Sequence, residues 1–158
     1  MIQDEAFSLY CNDYQNPVLG AFIFYIFSRT FQKETKDAAS LYHLFCISPL
    51  VMNELFSKHI KKQKLAVSII KDLDSDPLTI GGLQYEMDNY KEFSYLSIYM
   101  AEKIGLFSIS SSGDILITHE EIQKLDVDLV FFKKAEKLGR LLAQLDIFDF
   151  MSLAGVLI

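Results

Sequence analysis

The dipeptide Asn16-Pro17, followed at once by Val18-Leu19-Gly20-Ala21-Phe22-Ile23-Phe24, constrains this chain more than any other feature. Asparagine at such a junction caps backbone N–H groups that no carbonyl inside the helix can reach. Proline at the first helical position gives up an N–H that would have no partner anyway. A helix is therefore predicted to open at Pro17 and to run to about Phe31. Its apolar residues circle the axis instead of forming one stripe, so it is expected to be buried on most sides, in a core or against another protein.

Length decides against a membrane for this helix and for the next apolar stretch, because a span needs about 20 mostly apolar residues. The run over 18–27 is shorter and is closed by Arg29 and Lys33; the run over 41–56 carries His43, Pro49, Asn53 and Glu54. Both read as core helices. The second stretch, over 38–58, is expected to kink or split at Pro49, which removes one backbone hydrogen bond. Residues 60–73 read as a short amphipathic helix, the acidic stretch from Asp72 to Pro77 as a polar turn, and residues 85–104 as one long helix ended by Gly105.

Leu106-Phe107-Ser108-Ile109 and Ile115-Leu116-Ile117-Thr118 flank a serine-rich, glycine-containing turn, the pattern of a β-hairpin. Thr118 and Glu121 are spaced as a capping box opening another helix at His119. Residues 129–145 form an amphipathic pattern in which Gly139 is placed for close packing, and 146–153 a last short helix ended by Gly155. The apolar end, Val156-Leu157-Ile158, is expected to dock. The fold class is mainly α (α+β): a helical domain with a small β-hairpin wing, winged-helix-like. With 158 residues and no repeat or linker, residues 1–158 read as a single domain: an arm over 1–15, a helical part over 16–104, and the hairpin with C-terminal helices over 105–158.

Composition and motif searches narrow the function. A formal net charge of −6 gives no broad footprint for nucleic acid or anionic lipid. The local cluster Lys58, Lys61, Lys62 and Lys64 is the candidate nucleic-acid contact, set against a plain solvated face. No phosphate loop, dinucleotide fingerprint, nucleophile elbow, zinc-protease motif or paired Cys-x-x-Cys occurs. His43, His59 and His119 fall on separate predicted elements, and Cys46 lies between apolar neighbours that favour the neutral thiol. No catalytic residue, metal or cofactor is expected. The two cysteines and an acidic start without an export signal fit a reducing cytoplasm.

Three blocks together resemble one family. They are Tyr14-Gln15-Asn16-Pro17 with its apolar helix, Leu41-Tyr42-His43-Leu44-Phe45-Cys46-Ile47-Ser48-Pro49, and Lys134-Ala135-Glu136-Lys137-Leu138-Gly139-Arg140 followed by Gly155-Val156. Their order and spacing are similar to those of the middle component of bacterial three-component ABC ATPase systems. The chain departs from that pattern after Met52, where Asn53-Glu54 stands. The resemblance implies partners, an ABC ATPase of the SMC/Rad50 type and a variable effector, and a setting in anti-phage or foreign-DNA defence. The expected function is a non-catalytic adaptor, with self-association a further expectation. Its candidate partner-binding residues are Asn16, Pro17, Phe22, Phe24, Lys134, Leu138, Gly139, Arg140, Val156 and Ile158. The alternative is a winged-helix DNA-binding transcriptional regulator that uses the lysine cluster and the hairpin. A small enzyme without a recognisable motif is the third reading.

Overall fold

The computed structural model describes residues 15–60, 66–75, 82–118 and 130–157. Among these, α1 (Pro17–Thr35) is the centre of the structure, packed between α6 (Lys91–Lys103) and α7 (Val130–Leu142). Its start is the one the sequence dictates: the Asn16 side chain accepts from the Val18 N–H at 2.9 Å, with Pro17 in the first turn. It runs past Phe31 to Thr35, where Lys36 takes a left-handed conformation and returns its N–H to the Gln32 carbonyl. Phe24, Tyr25 and Phe27 on different sides of α1 are all but fully enclosed. Burial of each such side chain contributes roughly 1.5–3 kcal/mol.

Close approach is built in with glycine. A Cβ on Gly20 of α1 would overlap Ser97 Oγ and lie 2.7 Å from both Ser97 Cβ and Phe93 Cζ of α6. Only hydrogen fits there, which sets the spacing of the two helices.

Five shorter helices complete the α structure among the described residues: α2 (Leu41–Met52), α3 (Glu54–Ile60), α4 (Ala66–Ser75), α5 (Gly82–Asn89) and α8 (Ile147–Leu153). The hairpin pairs β1 (Phe107–Ile109) with β2 (Ile115–Ile117), antiparallel, Phe107 opposite Ile117 and Ile109 opposite Ile115. Gly113 takes φ 85° in its turn, and Ser112 donates to Asp114 Oδ2 at 2.6 Å. The hairpin does not stand alone. Ile115 donates to the Ala39 carbonyl at 2.7 Å and Leu41 to the Gly113 carbonyl at 3.0 Å, so that Ser40 bridges Asp114 and extends the hairpin by one edge. A mainly helical fold with a small β wing is thus what the sequence specifies.

Three local expectations are corrected, and a fourth lies largely outside the described residues. The second stretch starts at Leu41 and not Ala38, because Ala39 and Ser40 pair with the hairpin. It passes through Pro49 and breaks at Asn53, whose Oδ1 accepts from the Leu55 N–H at 2.9 Å and so begins α3. Of the helix expected over 60–73, Ile60 belongs to α3, and α4 extends to Ser75, placing Asp72 inside a helix and not in a turn. The helix expected over 85–104 is interrupted at Tyr90, with α5 before it and α6 after it. The capping box and helix expected from Thr118 to His119 lie beyond the described residues, apart from Thr118 itself, which donates to the Gly105 carbonyl.

Candidate functional site

Among the described residues, the types that carry most enzyme chemistry are dispersed. Cys46 lies in the core, its thiol pushed up to about 12 by burial, which keeps it protonated and unreactive. His43 packs against the rings of Phe27 and Phe31, at 5.9 Å and 4.5 Å between centroids. Burial lowers its pKa to about 4, against the smaller raising effects of Asp146 and of the bond with Ser40. Among the described residues no group of three or more His, Cys, Asp or Glu could hold a metal ion, and no helix is long and apolar enough to cross a membrane.

What the surface offers is an aromatic face on α6. Tyr95, Leu96 and Tyr99 are 55%, 46% and 55% exposed, and their spacing puts them on one side of the helix, flanked by exposed Glu92, Glu102 and Lys103. Both tyrosine rings have neighbours within the chain. Tyr95 meets Phe45 of α2 edge-on at 5.0 Å between centroids, and the Lys103 ammonium lies 5.3 Å from the Tyr99 centroid. Rigid aromatics with an exposed flank make good anchors, since little rotamer entropy remains to be lost when a partner covers them.

The residues nominated from sequence are placed differently. Phe24, Leu138, Gly139 and Val156 are buried among this chain's own helices. Phe22 and Pro17 are half-buried, and Asn16 is exposed at the α1 cap. Lys134 donates to Ser57 Oγ at 2.9 Å and lies over the Phe131 ring, while Arg140 pairs with Glu136 one turn away. Lys58 is exposed on α3; Lys61, Lys62, Lys64 and Ile158 lie outside the described residues. The α6 face went unnoticed because its tyrosines fit a buried helical stripe equally well. The packing of α1, chiefly, decides which side of α6 is covered.

A model of the family ABC-three component (ABC-3C) system Middle Component 3 matches residues 6–157. The chain belongs to this family. The match spans all three sequence blocks, and Middle Component 3 membership means that the chain has partners within a three-component system and is not that system's ATPase. Within the Middle Component 3 chain those blocks have structural duties: the first is the central helix with its cap, the second is α2, and the third is the helix whose glycine abuts α1. No curated protein and no solved structure matches the chain.

Proposed function

We propose that this middle component is a non-catalytic adaptor, docking an ABC ATPase of the SMC/Rad50 type to an effector in a cytoplasmic defence system against phage or other foreign DNA. The observation that carries the docking role is the exposed Tyr95-Leu96-Tyr99 face of α6, on a chain whose catalytic residue types, among the described residues, are scattered or buried. Tyrosine-rich apolar patches are typical of protein contacts, and truncating such anchors typically costs about 2 kcal/mol or more of binding energy each. Residues 1–158 act as one domain in this reading. Of the residues nominated from sequence, Asn16 and Arg140 keep the exposure that a secondary contact needs.

The winged-helix regulator has one observation in its favour, the Ser40–Asp114 bridge that adds a third edge to the hairpin between helices. Charge opposes it. Residues 107–118, the wing of that reading, contain Asp114 and no Lys or Arg, where a DNA-reading wing needs cations. Affinity purification of the tagged chain from its native host at low salt, with mass spectrometry of what accompanies it, separates the two. Recovery of an ABC ATPase with a neighbouring gene product supports the adaptor. Recovery of the chain alone, or with salt-sensitive duplex DNA only, overturns it.

A further inference from the structure

Two ring contacts on α2 connect the α6 face with α8. Phe45 of α2 meets Tyr95 of α6 edge-on, and Tyr42, three residues before Phe45, meets Phe148 of α8 edge-on with 5.1 Å between centroids. Residues three apart share one side of a helix. Tyr42 and Phe148 are close to half exposed, and Phe45 is half-buried. Tyr99, Tyr95, Phe45, Tyr42 and Phe148 therefore follow one another as a band over three helices. We propose that this whole band is one docking surface, and that it takes an apolar segment of a partner protein carrying lysine or arginine where the segment covers α8. The inference rests on the docking role argued above and adds the extent of the surface and the chemistry of what covers it.

Packing within the chain does not account for these rings on the outside. On its inner side α2 buries Leu44, Ile47 and Leu50 completely, so the core is served without Tyr42 and Phe45. A single exposed apolar residue is ordinary on a folded chain, whereas a contiguous run of them marks a contact surface. Three of the five rings are tyrosines, whose hydroxyl tolerates water while the ring body supplies contact area once covered.

Charge selects the occupant. At the α8 end Asp146 and Asp149 are exposed, and neither is paired with a cation among the described residues. At the α6 end the exposed Lys91 and Lys103 are matched by the exposed Glu92 and Glu102. The band is thus negative at one end and balanced at the other. An apolar segment with Lys or Arg over α8 complements both ends. A second copy, turned so that the two bands pair, would lay its balanced α6 end against the aspartates and bring no net positive charge. Nucleic acid would bring phosphates against them.

The test uses the full chain in its native host, with the photo-crosslinking residue p-benzoylphenylalanine replacing Tyr95, Tyr42 or Phe148 one at a time. Val130, exposed beside Leu55 and Lys58 away from the band, is the control position. The three band positions are expected to crosslink to the same partner polypeptide and the control to crosslink to it much less. The peptide captured at position 148 is expected to carry Lys or Arg beside apolar residues. Asp149→Lys, with thermal unfolding to confirm an intact fold, should lower the yield at position 148 by about threefold or more, on the scale of a surface charge reversal. Capture at position 95 alone would overturn the band and leave docking on α6 standing, whereas no capture at any of the three would overturn both. Crosslinks to a second copy or to nucleic acid, a captured peptide without a basic residue, or an unchanged yield with Asp149→Lys would overturn the occupant proposed.

Discussion

Gly139 of α7 lies directly against Thr30 of α1. A Cβ built on it would be 2.8 Å from Thr30 Cβ and 2.9 Å from the Phe27 carbonyl oxygen. A helix backbone cannot yield as a flexible side-chain tip can, so a methyl group here must push α7 away. Alanine ordinarily favours a helix over glycine by about 1 kcal/mol. The overlap reverses that preference, and Gly139→Ala is expected to destabilise the protein by about 1–3 kcal/mol net. Urea unfolding checks it, with a lower midpoint at an unchanged slope as the expected outcome.

His43 makes stability depend on acidity. Its pKa in the folded protein is about 4, below the 6.5 of an unburied imidazole, so between those values the unfolded chain binds the extra proton. Stability from this residue is therefore complete above pH 6.5 and is lost progressively as the pH falls toward 4. The loss amounts to about 3 kcal/mol by linkage. His43→Gln should remove the part of the pH dependence of urea unfolding that lies in this window.

Cys46 is expected to resist alkylation in the folded state. Its thiol is both fully enclosed and pushed up to about 12. Iodoacetamide at pH 8 followed by peptide mass spectrometry should leave the Cys46 peptide unmodified in buffer and modify it fully in denaturant. Rapid labelling of the native protein would contradict its placement in the core.

Local chemistry made part of this fold legible. The α1 start follows from Asn16 and Pro17, the hairpin from two β-prone runs around Gly113, and the last helix from Asp146 and Gly155, because each signal acts within a few residues. The break at Asn53 was signalled too, by an N-cap asparagine followed by Glu54, yet Pro49 looks the stronger breaker. The helix tolerates that proline and ends where the next can begin. The Ser40–Asp114 bridge, the Gly20 contact with Ser97 and the Tyr42–Phe148 contact join residues distant in sequence, and no local pattern announces them. Burial is equally hard to read from sequence. An apolar helix face looks the same whether its own chain or another covers it, and Phe24 and Leu138 turned out to be covered from within.

The adaptor reading is tested most directly by whether the α6 face holds the partners. The tagged chain and its Tyr95→Glu, Tyr99→Glu double variant would be purified from the native host at matched abundance, with thermal unfolding of both to confirm equal stability. The account predicts that the unsubstituted chain brings down an ABC ATPase and a neighbouring gene product, and that the double variant loses at least one of them by about tenfold or more. Equal recovery by the two proteins, or no ATPase with either, would contradict it.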